Sequence, residues 1–309
     1  MKNKIIIVML LAFAVAPQWT SAEEKEKKSA AGLLPKEGDI ALGIDMSPVF
    51  SYFGNIFNGN MSNGLDQFGG KIWSKDVNAV IKPNVSIVGK YFVTDNIAAR
   101  VNIGILYDNQ TSRKYARDDE AFAIDPFSEA KVIDAANKVS SGYSLALGAE
   151  YRYGEKRLQG VFGASLLYAS QNDRRSIAYA NKITEINQEP TRTAAFDYGI
   201  TTNLNTTHTG TPWTRLYLLE DYSNAKDKYF GLQLSAGAEY FFTDYLALGG
   251  EVSLAAYQMF GAQRYEVVEG FNQATKTVDV HTDLVSPGNR TFHLGTENIG
   301  ARFYLMFYF

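Results

Sequence analysis

The sequence predicts an all-β fold, an antiparallel up-and-down transmembrane β-barrel of about eight strands with long loops on one side. Three observations predict it. Eight segments alternate apolar residues with polar or small ones, and 19 Tyr and 19 Phe stand beside only 8 Pro. The longest apolar run at the N-terminus, residues 5–15, falls short of the roughly 20 residues a membrane helix needs. Lipid satisfies no backbone hydrogen bonds, so a chain that crosses it without helices must close its strands on themselves.

The first residues form an export signal: Lys2 and Lys4, then the apolar run, then Thr20-Ser21-Ala22 as a small-residue cleavage site. The expected organisation is a signal peptide over 1–22, a Glu- and Lys-rich periplasmic leader over 23–37, and the barrel over 38–309. The chain has no cysteine, which excludes disulfides, thiolate metal sites and a lipidated N-terminal cysteine. Thirty basic and 33 acidic residues give a net charge of −3, with no footprint for nucleic acid.

Each strand follows from its alternation. Residues 40–47 put Ile40, Leu42, Ile44 and Met46 on one face and Asp45 on the other. Residues 81–93 set Ile81, Val85, Ile87, Tyr91 and Val93 against Lys82, Ser86 and Lys90. Residues 97–108 oppose Ile97, Val101, Ile103, Ile105 and Tyr107 to Arg100 and Asn102. Residues 143–153 oppose Tyr143, Leu145, Leu147 and Tyr151 to Gly148, Glu150 and Arg152. Residues 158–168 put Leu158, Phe162, Leu166 and Tyr168 outward. Residues 230–242 set Phe230, Leu232, Leu234 and Tyr240 against Gln233 and Glu239. Residues 246–256 set Leu248, Val252 and Leu254 against Glu251, and residues 299–309 set Phe303, Leu305, Phe307 and Phe309 against Arg302 and Tyr304. Each run reaches the roughly 9–11 residues a tilted membrane strand needs, or comes close to it.

Short connections at Thr94-Asp95-Asn96, Gly154-Glu155-Lys156 and Thr243-Asp244 alternate with long ones over 51–78, 112–140, 171–228 and 260–294. This asymmetry matches periplasmic turns and extracellular loops, with both chain ends in the periplasm. Within the long loops, 265–268 and 277–281 have the pattern of one hairpin, and 194–200 with 215–219 that of another. If the second pair crossed the membrane, the barrel would have ten strands, the alternative architecture.

Two turns are near-copies, Tyr91-Phe92-Val93-Thr94-Asp95-Asn96-Ile97-Ala98 and Tyr240-Phe241-Phe242-Thr243-Asp244-Tyr245-Leu246-Ala247. Their Tyr and Phe, with Tyr151, Tyr153, Phe307 and Phe309, are expected in one interfacial girdle; Tyr107, Tyr143, Tyr168 and Phe230 form the other. With the Gly-Ala-Glu-Tyr runs at 148–151 and 237–240 and the terminal Phe309, these turns resemble the outer-membrane β-barrel domain family, which groups with the OmpA transmembrane domain and OmpX-like barrels. The last strand is similar to the barrel-assembly signal of such proteins through Asn298, Gly300, Phe303 and Leu305, and departs from it by continuing to Phe309. The resemblance implies an outer-membrane location, with lipid, lipopolysaccharide and the barrel-assembly machinery as partners.

The inward phase carries Asp45, Lys82, Lys90, Arg100, Glu150, Arg152, Glu239, Glu251 and Arg302. An eight-stranded barrel leaves a lumen just wide enough for side chains, and buried charges are costly unless paired. Arg100, Arg152 and Arg302 are therefore expected to pair with Glu150, Glu239 and Glu251 and plug the lumen. A narrow ion path is the competing view. If alternation persists above the outer girdle, Arg113, Arg174 and Arg264 share the outward phase, where guanidinium groups suit lipopolysaccharide phosphates.

No metal motif, phosphate loop or nucleophile elbow occurs. His208, His281 and His293 lie in loops or at the rim; His281 or His293 with Asp279, Asp283 and Ser286 is the nearest approach to a hydrolase constellation, with no family spacing. Asp118-Asp119-Glu120 with Asp125 lacks the ligand spacing of a calcium loop. No cofactor is expected. Three function classes follow: a non-enzymatic structural or surface-interaction barrel with an unidentified extracellular ligand, a narrow solute channel, and a rim hydrolase. The first fits the residues best.

Overall fold

The computed structural model describes residues 34–46, 85–154, 156–196 and 212–309. Residues 1–33, where the signal peptide and most of the leader are expected, lie outside them, as do Lys82 and His208. Among the described residues the strands are β1 (Ile40–Asp45), β2 (Val85–Thr94), β3 (Ile97–Arg117), β4 (Lys131–Tyr153), β5 (Leu158–Ala178), β6 (Trp213–Ser223), β7 (Asp227–Thr243), β8 (Leu246–Phe260), β9 (Arg264–Asn272), β10 (Thr277–Ser286) and β11 (Arg290–Tyr308), with one short helix, α1 (Asp119–Ile124).

Eight strands form a closed antiparallel wall in the order β1-β2-β3-β4-β5-β7-β8-β11, and β11 returns to β1 through Ala41↔Tyr308 to Asp45↔Tyr304. Closure removes every sheet edge from the wall. The ten-strand alternative fails because β5 pairs directly with β7, from Leu158↔Tyr240 to Gln171↔Asp227, leaving no gap for a further pair.

Each of the eight segments expected from alternation contributes a wall strand, with residues 47 and 81–84 outside the described part. Leu42, Ile44, Ile103, Leu147, Phe162, Leu166, Leu234 and Val252 are exposed on the outer surface. Aromatic side chains bound this belt. Tyr143, Tyr168, Phe230 and Phe260 form a row along the long-loop side, with successive ring centroids 5.9, 4.9 and 5.9 Å apart. Tyr91, Tyr151, Tyr240, Phe242, Phe307 and Phe309 are exposed at the short-turn end. From Phe230 to Tyr240 the strand rises about 33 Å, or about 25 Å at a barrel tilt near 40°, the height of a membrane barrel's apolar band.

The repeated turns correct one expectation. Tyr91 and Tyr240 join the girdle, but Phe92 and Phe241 are fully buried inside the barrel. Successive strand residues face opposite ways, so adjacent Tyr and Phe never share a surface. The Thr residues tighten both turns alike: the Thr94 hydroxyl accepts from the backbone N–H of Ile97 at 3.0 Å, and that of Thr243 from Tyr245 at 3.3 Å.

Among the described residues, the long connections over 112–140 and 260–294 hold more strand than their polarity predicts. β3 and β4 continue as a hairpin to Arg117↔Lys131, so most of 112–140 is strand. The 265–268/277–281 hairpin is present within β9 and β10. The second hairpin is not. Ala194–Phe196 is a 3-10 turn, and 215–219 lies within β6, which pairs with β9 and with the tip of β5. Residues 197–200 are outside the described part. The reason is burial: Phe196 packs with Ile177, Leu216, Leu218, Val268 and Phe271 in a small core above the barrel, which a free-standing pair of strands lacks. β6, β9 and β10 thus build a crown on the wall.

Candidate functional site

Inside the wall, the inward phase brings long charged side chains opposite glycines. Arg100 faces Gly148, Glu150 faces Gly163, Glu239 faces Gly249 and Glu251 faces Gly237 across neighbouring strands. The glycines leave room where the lumen is crowded: a Cβ on Gly237 would meet Glu251, and one on Gly163 would lie 3.4 Å from the Arg100 guanidinium. At Gly249 an added Cβ would stand 2.3 Å from the Tyr304 ring.

The charges meet in that space. Lys90 Nζ donates to Glu150 at 2.7 Å and to Glu239. Arg100 donates to Glu251 at 2.7 Å and lies 3.4 Å from Glu150. Arg302 Nε stands 2.6 Å from the same Glu251 oxygen. Arg152 donates to Glu239 and lies 3.6 Å from Glu150. Glu239 also accepts from the hydroxyls of Tyr304 at 2.9 Å and Tyr308 at 2.6 Å, and Tyr308 in turn accepts from Arg152. Neither Glu150 nor Glu239 has any side-chain exposure. In a low-dielectric interior such carboxylates persist as ions only when cations and donors surround them.

Below this layer, toward the short turns, lies an apolar floor. Phe92, Phe241 and Tyr308 surround the Arg152 guanidinium with ring centroids 5.0, 5.3 and 5.4 Å away. Ala41, Ala98, Ala247 and Met306 fill the rest, and Leu34 packs against them. Residues 34–39 therefore cover the mouth of the barrel: Glu37 N–H donates to Asp95 Oδ1 at 2.9 Å and Gly38 N–H to the Phe92 carbonyl at 2.8 Å.

The structure thus brings together Lys90, Arg100, Glu150, Arg152, Glu239, Glu251 and Arg302. Asp45 lies in β1 opposite Tyr304, and its side chain is outside those described. Sequence patterning put Tyr304 on the inward phase without a partner for its hydroxyl, and missed Tyr308 and the phenylalanine floor. The signal for Tyr308 was the even phase of the last strand, Tyr304, Met306 and Tyr308, and that for the floor was the opposite phase of Phe92 and Phe241 to Tyr91 and Tyr240.

Other candidates are scattered. Arg113 is exposed on β3, Arg174 on β5 donates to Glu220, and Arg264 on β9 donates twice to Asp221, at 2.9 and 3.0 Å. Carboxylates already occupy two of the three. Phe303 and Phe309 face outward on the last strand, whereas the side chains of Asn298 and Gly300 are not described. His281 packs edge-on against Trp213 with centroids 4.8 Å apart, and His293 against Tyr257 at 5.0 Å. Asp279 is held by Asn272 and Thr277, which keep its carboxyl below the ordinary range, and Ser286 Oγ accepts from Gly288 N–H. No Ser-His-Asp relay is assembled by these groups. Among the described residues no cluster of three or more His, Asp or Glu is arranged to hold a metal.

In the crown, Arg192 is sandwiched between Tyr179 and Tyr217 at 4.0 and 3.9 Å and paired with Glu269 at 2.6 Å. Asp134, fully buried, accepts from the backbone N–H of Ala180 and Thr193. The Asn181 amide donates to the carbonyls of Arg117 and Thr191, both at 2.7 Å. A strap over residues 179–196 is thereby fastened across the β3–β4 hairpin.

No family model matches the chain, and no curated protein matches it either. Among solved structures, the chain is similar to the outer membrane protein OprG from Pseudomonas aeruginosa, at 10% identity over 90% of this chain and 98% of that one, with a TM-score of 0.30. It is similar also to a major outer membrane protein from Thermus thermophilus, at 10% identity over 88% of this chain and 98% of that one, again with a TM-score of 0.30. At these TM-scores neither carries an argument, and the barrel rests on the chain's own strand pairing.

Proposed function

We propose that the chain is a non-enzymatic outer-membrane barrel, exported through its signal peptide, whose lumen is sealed and whose crown presents a recognition surface. One observation carries this reading: the lumen is crossed by a charge network on fully buried Glu150 and Glu239, over a floor of buried Phe92 and Phe241. A conducting path would hydrate these groups. The outward apolar belt between two aromatic rows supports a lipid surrounding, and the filled eight-stranded lumen supports the grouping with OmpA transmembrane-domain and OmpX-like barrels. Outward Phe303 and Phe309 on the closing strand support recognition by the barrel-assembly machinery. The packing of His281 on Trp213 and of His293 on Tyr257 supports a role other than hydrolysis.

The test is planar-bilayer recording of the refolded full chain. A sealed lumen yields no discrete openings across the voltage range that the membrane tolerates. Stable, salt-dependent openings would assign the protein to the solute channels instead.

A further inference from the structure

The outward face of the wall changes character where it leaves the apolar belt on the long-loop side. Tyr143, Tyr168, Phe230 and Phe260 stand in line there, ring against ring. Three cations adjoin the same line. Lys226 Nζ lies 5.2 Å from the centre of the Tyr143 ring, and the Arg290 guanidinium 5.6 Å from that of Phe260. Lys228 is exposed between them on β7. The registers Tyr143↔Ser170, Ser170↔Lys228, Lys228↔Phe260 and Phe260↔Arg290 set these five residues side by side across β4, β5, β7, β8 and β11.

Charge in this sector is divided by face. Alternation from Tyr168 and Phe230 sends Arg174, Lys226 and Lys228 outward, and sends Asp173 and Asp227 inward. On the crown, the row Arg175, Asp221, Glu266 and Asp283 continues the inward face. Asp173 accepts from Ser140 and Gln171, Asp227 from the N–H of Ala262, and Asp221 from Arg264. Next above on the outward phase come Glu220 and Glu269, bound by Arg174 and Arg192. Lys226, Lys228 and Arg290 are left as three outward charges of one sign, with no carboxylate partner among the described residues. Lys228 stands two residues above Phe230, about 7 Å along the strand. The aromatic girdle of a membrane barrel marks the level of the headgroups.

We infer that Lys226, Lys228 and Arg290 hold the phosphate of a lipid headgroup in the leaflet on the long-loop side. The inference rests on the apolar belt facing lipid, as proposed above. Ammonium and guanidinium groups bind phosphate oxygens through charge-assisted hydrogen bonds, the guanidinium by two parallel N–H groups. The rings beneath hold Lys226 and Arg290 against the wall, so less side-chain freedom is lost when phosphate arrives. Continuity with the belt selects a lipid over a dissolved anion. A headgroup bound here keeps its chains on exposed Leu166 and Leu232, whereas free phosphate meets the cations alone.

The test is native mass spectrometry of the full chain in a maltoside detergent. It is titrated with diphosphoryl lipid A and with the same lipid stripped of both phosphates. Saturable adducts with the first, and far weaker ones with the second, are expected. Lys226→Gln, Lys228→Gln and Arg290→Gln together should weaken binding on the order of a hundredfold, from about fivefold for each cation at an anionic surface. Arg113→Gln, Lys114→Gln and Lys131→Gln change net charge equally at exposed positions of the β3–β4 hairpin, and should leave binding unaltered. Gel mobility of unheated samples verifies that both variants fold. Equal binding by wild type and the first variant, or an equal loss in the second, would overturn the inference. So would tight binding of the stripped lipid, since the chains would then suffice. Displacement of the lipid by inorganic phosphate at like concentration would overturn it in favour of a dissolved anion, and displacement by a polyglutamate peptide in favour of an acidic protein. A chain that never enters lipid vesicles would take the outer-membrane reading down as well; one that inserts yet ignores the phosphates refutes this site alone.

Discussion

Glu239 holds the lumen network together, and its replacement by leucine tests whether that network stabilises the barrel. The side chain accepts from Lys90, Arg152, Tyr304 and Tyr308. Glu239→Leu leaves Lys90 with Glu150, but strips Arg152 of its close carboxylate and leaves Glu150 3.6 Å away. Breaking a buried pair costs about 3–5 kcal/mol. Each of the two tyrosine hydroxyls that loses its carboxylate acceptor adds about 1 kcal/mol, for a total of about 5–7 kcal/mol. Urea unfolding in phospholipid vesicles, followed by tryptophan fluorescence and by gel mobility of unheated samples, measures the loss. Glu239→Gln keeps the acceptor and loses only the charge, so its cost is smaller. Adding Lys90→Met to Glu239→Leu removes one charge of each sign, and the double variant should lose less than the sum of the singles by at least about 1 kcal/mol. A Glu239→Leu protein within about 1 kcal/mol of wild type would refute the argument, since the network would then be packing filler.

Two further predictions concern space and protonation. Gly249→Val places a Cβ against the Tyr304 ring and should destabilise by about 1–3 kcal/mol through overpacking, whereas Gly160→Ala, whose Cβ meets its nearest atom at 3.5 Å, should leave the urea midpoint unchanged. At Asp119, burial works against ionisation, but hydrogen bonds from Thr191, Asn187 and Arg117 outweigh it and hold the carboxyl below its ordinary value of 3.8. A carboxyl depressed in the folded state contributes stability that is present above the ordinary value and is lost as pH falls through the folded one. Amide exchange over 184–192 should therefore be flat with pH above that window after correction for intrinsic rates, and should accelerate below it. In Asp119→Asn the acceleration should vanish.

The alternation of residues along the chain carries most of the barrel. A period of two is a property of the strand itself, so Ile103, Leu147 and Val252 announce their outward face without knowledge of any neighbour. Closure follows, because a strand with one apolar face toward lipid has no edge to spare. The same period placed Lys90, Arg100 and Glu150 inside. It did not pair them, because pairing depends on which strands adjoin: Glu239 meets Lys90 across 149 residues of sequence.

The β9–β10 hairpin was legible in the chain, but tertiary structure alone decided how the crown assembles and what forms the floor. Trp213, Arg215 and Leu216 alternate no more clearly than many loops, and become β6 because β9 and the tip of β5 supply partners and because Phe196 and Phe271 complete a core. Arg174 and Arg264 look free in sequence, yet Glu220 and Asp221 reach them only once β6 is laid beside β5 and β9. Local periodicity thus determines which way a side chain faces along a strand, whereas its partner is fixed by contacts between segments far apart in the chain, whose closure entropy is overcome only when the whole sheet forms.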